Sequence, residues 1–211
     1  MSSLATLLAL ADSRLPTGGH VHSGGVEEGV ASGLVVDLPT LRAFLRRRIR
    51  TSGLVTASIA SAVHDGTLSV ADADGETDAR TPAPAARSAS RAQGRGLVRL
   101  ARKVWPAHDW DSVGVKPHLG VAAGSVGSAS GLLPEQTALS VVYTTMTGSA
   151  TAAQRLLALD PGDVAGLIFE LSPLCDQTAA EATKELADLS DPLLDVLAQR
   201  HVERDRPLFA S

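Results

Sequence analysis

Apolar residues recurring three and four positions apart, in one stretch after another, constrain this chain more than any other feature. Leu139, Val142, Met146, Ala150, Ala153 and Leu157 advance by that step, with Glu135, Ser140, Thr144, Thr147 and Gln154 on the other side. An α-helix that buries one face has this pattern. Val164, Leu167, Leu171, Leu174, Thr178, Ala182 and Leu189 repeat it. Pro173, inside that run, removes a backbone donor and is expected to kink the helix. A third run, Leu41, Phe44, Leu45 and Ile49, follows Asp37-Leu38-Pro39, where Asp37 can cap and Pro39 suits an early helical position. It can continue through Leu54, Ile59 and Val63 to His64, with Gly53 as a candidate break, since Gly costs ~1 kcal/mol relative to Ala inside a helix. Ala85 to Val104 reads as a long helix ended by Trp105-Pro106, and Ser190-Asp191-Pro192 opens a last helix that frays after His201. Leu4 to Ala11 reads as a first helix and His118 to about Ser130 as a small-residue helix in tight contact with a neighbour. The segment from Asp65 to Pro84 is polar and carries Gly66, Gly75, Pro82 and Pro84, so it is expected to be a connection with at most a short helix. Strand-like alternation of useful length is absent. The expectation is an all-α, single-domain bundle of roughly eight to ten helices over 1–211, with a flexible tail over 202–211.

Composition narrows the function classes. Aromatic residues are only 3% of the 211, so Leu, Val, Ile and Ala must build the core. The formal net charge of -4 argues against nucleic-acid binding, which needs a basic excess to meet phosphates. Cys175 is the single cysteine, which precludes an intrachain disulfide and suits a reducing cytoplasmic compartment. The apolar opening has no Lys or Arg before it, so a secretion signal is not expected. No apolar run approaches the ~20 residues that a membrane span requires.

Catalytic signatures are missing where they were sought. Gly124, Gly127 and Gly131 lack the Gly-Lys-Ser/Thr ending of a phosphate loop, and Gly127-Ser128-Ala129-Ser130-Gly131 has alanine where a nucleophile elbow needs its serine. Cys175 sits beside Leu171 and Leu174 as a buried structural thiol. Glu27 and Glu28 are adjacent and so face different directions on a helix, which gives general acid/base chemistry no seat. Two features invite partners. Arg87, Arg91, Arg95 and Arg99 recur every fourth residue and form one cationic stripe, extended by Arg102 and Lys103. That stripe either docks an anion or acidic partner, or answers the acidic segment before it. Gly94 and Gly96 in the same helix imply a close backbone crossing. His20 and His22 are the only close histidine pair and lack identifiable further ligands, so loop histidines without metal are the simpler reading. In the tail, Arg204, Asp205, Arg206 and Pro207 precede Leu208 and Phe209. The apolar pair either anchors a partner or folds back on this chain's own core.

The opening Leu7-Leu8-Ala9-Leu10-Ala11-Asp12-Ser13, then Leu15-Pro16, Gly18-Gly19, Ser23, Gly25, Glu27 and Gly33, resembles the opening of the urease accessory UreF family. Arg87, Ser90 and Gly94, the segment Ala152-Ala153-Gln154-Arg155-Leu156, and the ending Pro192-Leu193-Leu194-Asp195, His201 and Leu208-Phe209 extend the resemblance along the chain. It departs at His20, at Pro161-Gly162-Asp163, at His201-Val202-Glu203 and at Arg206-Pro207. The resemblance implies an all-α homodimer that is not an enzyme, holds no cofactor or metal of its own, and handles nickel indirectly. Its implied partners are a UreD/UreH-type accessory protein, the GTPase UreG and apo-urease. The candidate partner contacts, read from the cationic stripe and the end of the chain, are Arg87, Arg91, Arg95, Arg99, His201, Arg204, Arg206, Leu208 and Phe209, and the resemblance adds Pro16, Gly18, Gly19, Ser23, Gly25 and Glu27 as the motif loop. The rival readings are a regulator of the UreG GTPase acting in trans and a helical metal-binding protein using His20 and His22.

Overall fold

The computed structural model describes residues 4–17, 22–188, 191–205 and 207–209, and among them every regular element is helical. The segments are α1 (Leu4–Leu10), α2 (Val26–Ala31), α3 (Leu38–Arg48), α4 (Leu54–Asp65), α5 (Val70–Arg80), α6 (Pro84–Val104), α7 (Leu119–Ala129), α8 (Pro134–Leu157), α9 (Pro161–Ala182) and α10 (Pro192–Val202). A π turn over Ile49–Gly53 joins α3 to α4, so the helix passes through Gly53 with its ladder widened. A β-carbon on Gly53 would stand 3.1 Å from the Arg48 carbonyl, which explains why glycine occupies the widened turn.

The starts of the helices follow their sequence signals. Asp37 accepts from the Thr40 amide at 2.9 Å. Asp160 accepts from the amides of Gly162 and Asp163 ahead of Pro161, and Asp191 accepts from those of Leu193 and Leu194 ahead of Pro192. The main core lies between α8, α4, α9, α2 and α3, where Leu41, Leu45, Met146, Leu167 and Leu171 are buried. Each such side chain contributes roughly 2 kcal/mol of burial. α7 packs on α4 through small residues: β-carbons on Gly120 and Gly124 would press on the Thr56 and Ala60 carbonyls. α6 crosses α7, and α10 bridges α6 and α2. Cys175 is buried 3.7 Å from the Met146 sulfur, and burial, with Asp176 nearby, pushes its thiol up to about 12. A thiol so placed is inert packing.

The segment 65–84 departs from expectation, because α5 runs for 11 residues. Its propensity is poor, with Gly75 and several acids, and tertiary contacts supply what propensity lacks. Ser69 accepts from the Asp72 amide, Ala73 and Thr77 are buried, and Asp74 and Asp78 meet partners on α6 and at the start of α7. Pro173 lies inside α9, and the apolar run ends at Ala182 rather than continuing to Leu189, which is outside the described residues.

Candidate partner-binding site

The motif loop is a junction between helices. Gly24 and Gly25 take φ of 64° and 88°, left-handed values that favour glycine. The Ser23 carbonyl accepts from Ser149 Oγ at 3.0 Å, and the Gly24 carbonyl accepts from Arg48 Nη1 at 2.7 Å. The Glu27 amide donates to Ser23 Oγ. Pro16 is exposed; Gly18, Gly19 and His20 lie outside the described residues, so the pairing of His20 with His22 is untouched.

Glu27 is the residue on which the tail converges. Its carboxylate, buried to 3% exposure, accepts from His201 Nε2 at 2.8 Å, from the Leu208 amide at 2.8 Å and from the Phe209 amide at 3.1 Å. Burial alone would raise the Glu27 carboxyl. The Leu208 amide, His201 and the Phe209 amide outweigh it and hold the group below its ordinary range. Arg204 Nη1 reaches Glu28 at 2.9 Å. Glu27 and Glu28 do face apart, one holding the end of the chain and the other an arginine. Phe209 packs on the main core, whereas Leu208 is 78% exposed. The described part of the tail thus folds back through its backbone while presenting Leu208 outward. Arg206 lies outside the described residues. Val196, Val202, Leu34 and Val36 are further exposed apolar side chains, on α10 and on the segment after α2. Sequence reasoning passed over Glu27 as an anchor, although its place in the opening motif was a signal.

The arginine stripe divides along its length. Arg91 bonds Asp74 at 2.7 Å, Asp78 at 2.9 Å and the Lys116 carbonyl at 2.8 Å. Arg87 donates to the Thr81 and Pro82 carbonyls. These two answer the acidic segment before them. Arg95 and Arg99 are exposed and bond no described residue, while Arg102 pairs with Asp111.

His118, fully buried, completes the junction of α5, α6 and α7. Its Nε2 lies 2.9 Å from Asp78 Oδ1 and its Nδ1 lies 3.0 Å from Ser90 Oγ, which also accepts from the Leu119 amide. A neutral ring that donates from Nε2 to Asp78 and accepts from the Ser90 hydroxyl satisfies every group. Burial keeps the imidazole below its ordinary value against the pull of Asp78. These polar groups tie helices together. Among the described residues no three His, Cys, Asp or Glu side chains are grouped to hold a metal, and no helix is long and apolar enough to cross a membrane.

The comparisons with known proteins agree with one another. A family model described as UreF matches residues 35–172. A protein of Mycolicibacterium vanbaalenii named Urease accessory protein UreF is 79% identical over 214 residues, covering the whole of both chains. Proteins of the same name from a Mycobacterium species, strain JLS, and from Mycobacterium marinum are 77% and 72% identical, again over the full length of both chains. On the family match and these full-length identities, the chain belongs to the UreF family.

Proposed function

We propose that this chain is a cytoplasmic urease accessory protein, a non-catalytic scaffold for nickel insertion that acts as a homodimer and bridges a UreD/UreH-type protein and the GTPase UreG before apo-urease. Full-length identity of 79% to a protein named Urease accessory protein UreF carries the reading. The placement of side chains supports it: the buried polar groups join helices, while Val196, Val202 and Leu208 stand exposed on α10 and the tail among polar and charged neighbours, a mixture suited to protein contact. A scaffold works by making transfer from nickel donor to acceptor effectively intramolecular, so it raises the local concentration of the reacting partners without a site of its own. Nickel is cargo carried by the partners, and calorimetry on the isolated chain should find no stoichiometric sub-micromolar site. Co-expression of urease and the accessory proteins with and without this chain tests the central reading. Urease purified without it should be nickel-poor and the accessory proteins should fail to co-purify; fully metallated urease in its absence would refute the role.

A second reading rests on Arg95 and Arg99, exposed cations of the kind that stabilise phosphoryl-transfer charge in trans. GTP turnover by UreG, measured with wild-type chain and with the double variant Arg95→Ala/Arg99→Ala, separates regulation from scaffolding.

A further inference from the structure

Charge, more than apolar burial, attaches α5 to the fold. Its buried side chains are Ala73 and Thr77, and none of its residues enters the main core among the described residues. Ala73 joins a small cluster with Ile59 of α4 and Val121 of α7, and Val70 packs at its edge. Burying an alanine methyl contributes far less than burying the leucine-sized side chains that seat α8 and α9. The remaining attachments are polar. Arg91 of α6 grips Asp74 at 2.7 Å and Asp78 at 2.9 Å, and Arg87 stands 3.6 Å from Asp78. His118, just ahead of α7, donates its amide to Asp74 at 3.0 Å and meets Asp78 through Nε2 at 2.9 Å. At the far end Arg80 bonds Asp188 and the Ala187 carbonyl.

Helix propensity adds little to this hold. Gly75 lies within α5 where a β-carbon would meet nothing within 4 Å, so no close packing requires glycine there and its cost in propensity stands uncompensated. Arg91, Asp74 and Asp78 are partly exposed, so dissolved ions screen their attraction and water takes the charges back when they part. The chain turns before α5 at Gly66, whose φ is 79°. After α5 it is pinned, the Ala83 amide by Asp195 and the Thr81 and Pro82 carbonyls by Arg87. A movement of α5 therefore stops where α6 begins, and α4, α8 and α9 keep their shared core. Lifting α5 would take Ala73 off Ile59 and Val121, both fully buried, and remove Thr77 and Arg80 from the wall of a cavity of about 300 Å³.

We propose that α5 is a strap latched by Arg91 and His118, which lifts as a unit while the other helices stay folded and whose closure weakens as ionic strength rises. The motion belongs to the chain alone and requires neither a partner nor nickel. Thr77→Cys, a change of similar volume, places a thiol on the buried side of α5, and the buried Cys175 of the main core reports unfolding of the whole chain. The full chain is treated at fixed pH with the uncharged reagent N-ethylmaleimide, and peptide mass spectrometry follows both thiols, each rate taken relative to that in the denatured chain. Sodium chloride is raised from about 0.1 M to about 1 M, which cuts the screening length from roughly 10 Å to roughly 3 Å. The thiol at position 77 should react roughly tenfold or more faster than Cys175, and faster again at high salt. Arg91→Met in the same background keeps the aliphatic stem and removes the charge, so it should raise the rate at position 77 several-fold and flatten its salt dependence. Gly75→Ala should slow that rate roughly fivefold through helix propensity. Equal rates at the two thiols would show that α5 opens only with the whole fold and would overturn the proposal. A salt response undiminished in Arg91→Met would overturn it as well. Should Arg91→Met fail to fold, Thr77→Cys with and without Gly75→Ala decides, and a rate at position 77 that neither salt nor Gly75→Ala changes sinks the latch.

Discussion

His118 shows how one side chain can hold three helices. Its ring is fully buried, and replacing it with Leu would remove the hydrogen bonds that tie α7 to Asp78 of α5 and Ser90 of α6, although Asp78 keeps Arg91 and Ser90 keeps the Leu119 amide. A hydrogen bond between protein groups contributes about 0.5–1.5 kcal/mol net. His118→Leu is therefore expected to lower Tm by several degrees in thermal unfolding followed by circular dichroism, at 2–4 °C for roughly each kcal/mol in a chain of this size. The pH dependence carries a sign. Burial holds the folded-state imidazole below its ordinary value of 6.5, so at pH values just under 6.5 the unfolded chain takes up the proton and the folded chain does not. The stability that neutral His118 contributes is complete above the ordinary value and declines as pH falls through it. Urea midpoints measured from pH 8 to pH 5.5 should drop in the wild type and drop less in His118→Leu; parallel slopes would mean that His118 is not the group responsible.

At the scale of elements, legibility in the sequence follows the source of each element's stability. α8 and α9 carry their own apolar stripe, so their periodicity announces them, and α10 declares itself through Asp191 and Pro192. The close crossing inferred from Gly94 and Gly96 is present: β-carbons there would overlap the carbonyls of Pro117 and Thr17. α5 was illegible because Arg91 and His118, distant in sequence, hold its acids. The tail clasp was illegible for the same reason, since no local pattern links Glu27 to amides at positions 208 and 209. That clasp makes a testable element. The Glu27 carboxyl is held below its ordinary range, so its contribution is present above the usual glutamate value and is lost as pH falls through the depressed one. Glu27→Gln removes the charge at any pH and should weaken the clasp by about 1.5–3 kcal/mol, the worth of hydrogen bonds to a charged group. Hydrogen exchange at the Leu208 and Phe209 amides should accelerate roughly tenfold or more in Glu27→Gln at neutral pH, while the amides of α8 keep their protection. Unchanged exchange at the two tail amides would show that the carboxylate does not restrain them.

For the whole molecule, the decisive question is whether the tail serves this chain's own fold or a second protein, and the clasp lets the two roles be separated. Deleting the tail would confound them, because it strips Glu27 of two amide donors and leaves a buried carboxylate with His201 alone. A side-chain change at position 208 does not. The Leu208 backbone amide bonds Glu27 whatever the side chain, and that side chain stands 78% exposed, so it contributes little to the isolated fold. Leu208→Asp should therefore leave Tm within about a degree, in line with surface substitutions that stay within roughly 0.5 kcal/mol. If Leu208 is an anchor for the UreD/UreH-type partner, an aspartate driven into its apolar pocket would cost at least about 2 kcal/mol, the scale of a hot-spot residue, and weaken the complex roughly thirtyfold or more. Co-purification from cells expressing both proteins, followed by the nickel content of co-expressed urease, measures the loss. A Leu208→Asp chain that keeps its Tm and still recovers its partner in full would place the docking surface elsewhere, on the exposed Val196 and Val202 of α10 or on the arginines of α6 that pair with nothing in the described structure.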